Sequence, residues 1–244
     1  MATNFIDLCN QVLRRLNEVE VTSDEFSSAK GVQAAVKDAI NAAIADLNHT
    51  QYEWPFNAAQ ETGALAVGSV EYTYPALAKT LDWNSFTILN DGTLNTQTRI
   101  LKYISRDEWY KRLQSEDLDN PTSGISIPEF VFPSHGTGFG VSPAPDKTYR
   151  ISFRYFRYPD ELVNATDVPR MPNQFTTVIV DGAMYHMYLF KDNAESAQLS
   201  AQMFQRGVDN MRGLFINKTD YLRDTRVNFG GGNSYSRMSS VNNA

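Results

Sequence analysis

The chain has 244 residues, a formal net charge of −6 and a single cysteine, Cys9. This length allows one large domain or two small ones with a substantial core. The negative charge argues against binding driven by attraction to nucleic acid or anionic membranes, and one cysteine excludes an intramolecular disulfide. Neither an apolar run of 18 residues nor the pattern of a signal peptide is present, so we expect no membrane partner.

Two amphipathic helices are predicted at the N-terminal end. Apolar residues from Phe5 to Leu16 recur at spacings of three and four, which predicts a short helix. Thr22 and Glu25 then have the spacing of a capping box. The alanine-rich stripe after them predicts one long helix that reaches about Gln51. At ~1.5 Å per residue, this helix would be roughly 40 Å long.

The stretch Trp54-Pro55-Phe56 marks the change from helical to β patterning. Pro55 cannot continue a helix, and it biases Trp54 toward extended backbone. We expect these three residues to form a structural corner between a helical part and a β part. In that corner, Trp54 and Phe56 would be largely buried.

Short apolar and β-branched runs predict an antiparallel β region after this corner. The runs are VEYTYP, SFTIL, RILKYI, FVFPS, GFGVSP and TYRISFRYFRYP. The last three are separated by turns and predict a three-stranded meander. Between the third and fourth runs, Ser105 and Glu108 form a second capping-box pattern, which predicts a short helix.

The last predicted strand alternates between apolar residues, which would face the core, and polar residues, which would face outward. Arginines interleaved with aromatic residues can bind single-stranded nucleic acid. The acidic chain favours a protein interface instead, because Arg and Tyr are enriched at such interfaces. The candidate residues of this β-face interface are Arg150, Arg154 and Arg157.

Helical patterning returns after Pro172. The run FTTVIVDGAMYHMYLF predicts one helix, and Asp192-Asn193 with Glu195 predicts the cap of another that ends near Phe215. A loop this short makes the two helices antiparallel neighbours.

These patterns together predict an α+β fold. Residues 1–57 and 170–220 would form an antiparallel helical bundle, and residues 58–169 would be an inserted antiparallel β region. Residues 221–244 are rich in Gly, Ser and Asn, which predicts a flexible, extended C-terminal tail. A partner would hold this tail through its aromatic and basic residues: Tyr221, Arg223, Arg226, Phe229, Tyr235 and Arg237.

No catalytic, cofactor-binding or metal-binding constellation emerges from the sequence. The glycine-rich GTGFG lacks the spacing of a phosphate loop, and the three histidines are too scattered for a metal site. Ser134-His135 lacks an identifiable third member of a catalytic triad. The acidic residues within 116–120 do not match a calcium loop and predict a solvated loop. Cys9 lies on an apolar stripe and is predicted to be an inert core residue.

The order of these motifs resembles the head-to-tail adaptor proteins of tailed bacteriophages, with the tail tubular protein A family the nearest. The resemblance covers roughly residues 4–216. Its motifs are the Trp-Pro-Phe-Asn corner, the segment from Pro143 to Pro159, the loop DVPRMP at 167–172, and a helix with Asp181-Gly182-Ala183.

This resemblance implies a structural virion protein of the neck or tail, not an enzyme, that assembles in the host bacterial cytoplasm. It also implies a homo-oligomeric ring, of twelve copies in the family, that binds the portal protein and the tail tube or nozzle protein. DNA would pass through the ring's channel without specific binding. The alternative is a receptor- or glycan-binding virion protein, but two long helical regions argue against the β-dominated chain it needs. A hydrolase would need a nucleophile and base that the sequence does not offer.

Overall fold

In the computed structural model of the protein, the described residues are 3–51, 53–89, 98–114, 117, 124–136 and 138–215. Within them the fold is α+β, with five α-helices and two β-sheets. The helices are α1 (Phe5–Arg15), α2 (Val32–Thr50), α3 (Arg106–Arg112), α4 (Thr176–Phe190) and α5 (Ala194–Phe215). No helix in these residues is both long and apolar enough to cross a membrane.

Nine strands among the described residues form the two sheets. In chain order they are β1 (Ala58–Leu65), β2 (Glu71–Thr73), β3 (Ala78–Leu81), β4 (Thr87–Leu89), β5 (Arg99–Ile100), β6 (Lys102–Tyr103), β7 (Phe130–Pro133), β8 (Gly138–Ser142) and β9 (Tyr149–Arg157). The first sheet has the order β1-β9-β4-β5, with β3 also paired to β9, and the second has the order β2-β8-β7-β6. The pairs are antiparallel except β6–β7, which is parallel, so the prediction of a purely antiparallel region is wrong at that pair.

The predicted meander of three consecutive strands is wrong. β7 and β8 form a hairpin with Val131 opposite Val141, but β9 crosses to the first sheet. The Phe153 ring of β9 lies 4.7 Å from that of Phe86 and 5.3 Å from that of Phe139 on β8. The apolar face of β9 therefore packs against β8 across the space between the two sheets. If β9 lay beside β8 in the same sheet, the two strands could not face each other in this way.

α2 begins later than predicted. The Thr22 hydroxyl donates to the Glu25 carboxylate at 3.1 Å, but only one 3₁₀ turn follows, Phe26–Ser28. Gly31 then has a φ of 60°, which the interior of an α-helix does not contain. α2 therefore starts at Val32 and has 19 residues, about 28 Å at ~1.5 Å each. The predicted ~40 Å rod is too long.

Helices from the two ends of the chain share one hydrophobic core. Buried residues of α1, α2, α4 and α5 belong to the same cluster. The helices approach closely at Gly182 on α4, where an added Cβ would lie 2.9 Å from the Ala43 Cβ on α2 and 3.0 Å from the Phe204 ring on α5. A side chain at Gly182 would force these helices apart. Leu199 on α5 is 55% exposed and lies outside this core.

The predicted solvated loop at 116–120 is wrong at Asp117, the one position of that run that the structure describes. Asp117 is buried, and its carboxylate accepts hydrogen bonds from the Trp109 indole N–H at 2.7 Å and from the Ala144 backbone N–H at 3.1 Å. Trp109 also stacks on Phe132 with 4.4 Å between ring centroids. Asp117 therefore holds α3 against the second sheet.

Replacing Asp117 with alanine is expected to lower the free energy of unfolding by about 2–4 kcal/mol, because two buried donors lose their acceptor. Urea denaturation followed by circular dichroism measures this change. Asp24→Ala is the matched control, since Asp24 is exposed and should change stability by no more than about 0.5 kcal/mol. Equal stabilities for the two variants would contradict the structural role of Asp117.

Candidate functional site

The corner at residues 54–56 is part of an aromatic cluster, in which Trp54 is buried but Phe56, predicted to be largely buried, is only partly so. Trp54 is fully buried, and its indole N–H donates to the Leu47 carbonyl at 3.0 Å. Its ring stacks on Phe56 at 5.5 Å and meets the edge of Phe215 at 6.3 Å, while Phe175 lies 5.7 Å from Phe215. We call Trp54, Phe56, Phe175 and Phe215 the aromatic corner. In the aromatic corner, the end of α5 and the segment that enters α4 pack against the residues between α2 and β1.

Polar contacts beside the aromatic corner fix the same junction. The Arg212 guanidinium on α5 donates to the Thr50 carbonyl at 2.6 Å and so satisfies a free carbonyl at the end of α2. The buried Asn57 amide donates to the Asn48 side chain at 2.5 Å. The Lys79 ammonium on β3 donates to the Asn48 carbonyl, and burial lowers the pKa of Lys79. The helical core and the first sheet are thus tied together by hydrogen bonds as well as by rings.

The three arginines of the predicted β-face interface do not share one face. Arg150 and Arg154 lie at alternate positions of β9 and are exposed, and Arg154 forms an ion pair with Asp82 at 2.7 Å. Arg157 lies at a position of opposite parity, on the side of β9 that carries the apolar residues. Its side chain is mostly covered and approaches Asp160 at 3.8 Å. Two arginines, rather than three, are therefore presented together on the outer surface of the first sheet.

The alanine-rich face of α2 is not a free surface at its centre. Ala39 and Ala43 are buried inside the protein, where Ala43 allows the close approach of Gly182. Trp54 is likewise buried inside the subunit, so its side chain cannot contact a partner. The alanine-rich face of α2 and the side chain of Trp54 therefore stabilise the subunit itself.

A different apolar surface is exposed on α5. Leu199, Met203 and Leu214 are 55%, 50% and 62% exposed, and we call them the outer stripe. At 100° per residue they lie within one sector of the helix, opposite the buried Val208. The sequence signal for this stripe is that apolar residues of α5 occur on both sides of the helix, whereas a helix with one buried face needs them on one side only.

Chemistry-bearing side chains are dispersed in the structure. Among the described residues, no group of three or more His, Cys, Asp or Glu side chains could hold a metal ion. Cys9 is 1% exposed, and burial raises the pKa of its thiol to about 12, so the reactive thiolate is scarce at neutral pH. The candidate partner-binding residues of the tail lie outside the described residues: Tyr221, Arg223, Arg226, Phe229, Tyr235 and Arg237.

Comparison with protein families gives one match that spans most of the chain. Residues 3–228 match the model of the SU10 adaptor protein family. The chain therefore belongs to this family, which confirms the predicted resemblance to phage head-to-tail adaptors. The family is one of structural, non-enzymatic adaptor proteins of the virion neck. Comparison with curated proteins gives no match.

Proposed function

We propose that the protein forms a ring between the portal protein and the tail tube or nozzle protein of a phage. The family match over residues 3–228 is the observation that carries this proposal. The ring has twelve copies, as the resemblance implies, and assembles in the host bacterial cytoplasm. Its central channel lets DNA pass without specific binding. The net charge of −6, repeated around such a ring, disfavours adhesion of DNA to the channel.

The contact between neighbouring copies in this ring is the outer stripe. A ring needs a heterologous interface, in which one patch of a subunit binds a different patch of the next. Leu199, Met203 and Leu214 offer an apolar surface on a rigid helix that no described residue covers. The helices α1, α2, α4 and α5 then form an antiparallel bundle in the ring wall.

The first sheet supplies a second contact, to the portal or to the tail protein. Arg150 and Arg154 project from its outer surface, and arginine is enriched at protein interfaces. The tail residues from Tyr221 to Arg237 attach the assembled ring to the portal or to a neighbouring subunit. Their aromatic and basic side chains provide apolar anchors and charge-assisted hydrogen bonds.

Sedimentation with phage heads tests this function. Heads that contain the portal but lack the adaptor are mixed with the purified protein and pelleted, and heads without portal serve as the control. We expect saturable binding to portal-containing heads only. Equal recovery with both kinds of head would contradict the adaptor role, and glycan binding by a monomer would support the receptor-binding alternative.

A further inference from the structure

A cleft opens between one edge strand of each sheet. Among the described residues, β1 pairs only with β9, and β2 pairs only with β8. The outer edges of these two strands flank a cleft with a volume of about 220 Å³. Its lining is mostly aromatic and aliphatic, and includes Gly63, Tyr72, Tyr74, Phe139, Ile151 and Phe153.

Gly63 leaves space for an added side chain at the cleft. It lies opposite Ile151 in the pairing of β1 with β9, on the side of β1 that faces the core. An added Cβ at Gly63 would lie 3.9 Å from Ile151, an ordinary contact distance, so the backbone leaves room for a side chain. A side chain from an added segment therefore has room at this position, above Ile151 and Phe153, which are 1% and 3% exposed.

The edge of β1 offers backbone pairing beside this cleft. β1 has eight residues, and the unpaired N–H and C=O groups of a long edge strand are a template for an added strand. Glu61 lies on the same side of β1 as Gly63 and is half-buried at the cleft. Within the described residues, no donor or basic side chain pairs with its carboxylate. The cleft therefore fits an extended segment that carries both apolar and basic side chains.

We propose that residues 216–244 of the same chain dock along β1 and over this cleft in the unassembled subunit. The point at which α5 ends supports this occupant. The Phe215 ring lies 5.9 Å from Phe56, and β1 begins at Ala58. The segment therefore starts beside one end of β1, which spans about 26 Å at ~3.3 Å per residue. Its covalent attachment gives it a high effective concentration at the cleft.

The composition of the segment matches the chemistry of the cleft. In a chain with a net charge of −6, residues 216–244 contain four basic and two acidic side chains. The run Arg226-Val227-Asn228-Phe229 alternates polar and apolar residues, the period of a strand with one buried face. In the docked segment, Val227 and Phe229 face the apolar floor and a neighbouring arginine pairs with Glu61.

Docking of this kind protects the subunit before assembly. An uncovered edge of eight residues invites pairing between copies and aggregation, whereas an added strand occupies it. This inference does not rest on the proposed function, because it concerns the isolated chain. Its failure would leave the adaptor role intact.

Cross-linking in the full chain tests the docking. Ala64→Cys on β1 and Asn228→Cys in the segment are combined and treated with a short bismaleimide, and the buried Cys9 does not compete. We expect an intramolecular link, identified by mass spectrometry at the mass of one chain. The matched control replaces Ala64→Cys with Val19→Cys, which is 80% exposed and lies between α1 and α2. A yield equal to that of the control, or a covalent dimer, would overturn the proposal.

Hydrogen exchange of the β1 amides gives a second readout. Glu61→Lys should speed their exchange at least tenfold, because it replaces attraction to the segment by repulsion. Val227→Asp with Phe229→Asp should do the same without altering the cleft, so the test does not depend on the folding of the Glu61 variant. Exchange at the wild-type rate in the Val227/Phe229 variant would overturn the proposal.

Discussion

Replacing Trp54 with alanine is expected to lower the free energy of unfolding by about 3–5 kcal/mol, the cost typical of removing a fully buried tryptophan. Trp54 is 0% exposed and donates a hydrogen bond to Leu47. Its loss would also leave Phe56 and Phe215 without a ring that each of them contacts. Because the aromatic corner joins the helical core to the first sheet, the variant should lose cooperativity between these parts. Urea denaturation, followed separately by far-ultraviolet circular dichroism and tyrosine fluorescence, measures both effects.

Two further variants separate burial from other causes. Trp54→Phe keeps part of the apolar volume but loses the hydrogen bond, so its stability should lie between those of the wild type and Trp54→Ala. Phe190→Ala removes a ring that is 65% exposed and should change stability by no more than about 0.5 kcal/mol. If Trp54→Ala unfolds at the same urea concentration as the wild type, the aromatic corner does not hold the two parts together.

The double change Leu199→Glu and Met203→Glu is expected to prevent ring assembly while leaving the subunit folded. Both side chains are about half exposed, so the isolated subunit loses little burial. At the contact between copies, two carboxylates would have to leave water without a partner, which costs several kcal/mol for each ion. Repeated around a ring, this cost should leave only monomers in size-exclusion chromatography with light scattering.

The control for this variant is Val67→Glu. Val67 is 57% exposed, as an apolar residue between β1 and β2 rather than on α5. It should assemble like the wild type and melt at the same temperature. Assembly of the Leu199/Met203 variant into rings of normal size would show that neighbouring copies meet through another surface.

Local patterns predicted the elements well where one residue type decides the geometry. The side chain of Ser105 accepts from the Glu108 backbone N–H, as its capping box indicated. Asn193 accepts from the Ser196 N–H in the same way at the start of α5. The end of α2 before Pro55 also follows from local chemistry, since proline cannot continue a helix. The positive φ of Gly31 was missed, because a glycine within a helical pattern does not by itself fix its backbone angles. The strands β1 and β3 also lie outside the predicted apolar runs.

Features that depend on distant residues could not be predicted. β9 follows β8 along the chain but pairs with β1, β3 and β4, because its apolar face fills the space between the sheets. The acidic character of Asp117 indicated exposure, and only the position of Trp109 in three dimensions explains its burial. The outer stripe was missed for a related reason. Leu199 has an apolar side chain, as core residues do, and its exposure depends on which side of α5 faces the other helices.

Electron microscopy of the purified protein bound to its portal tests the proposed function most directly. We expect a closed ring with a central channel, coaxial with the portal, in which α5 of each copy contacts the next copy through the outer stripe. Twelve subunits would agree with the copy number that the family resemblance implies. Separate single copies on the portal, or a protein that leaves the portal bare, would contradict an adaptor ring.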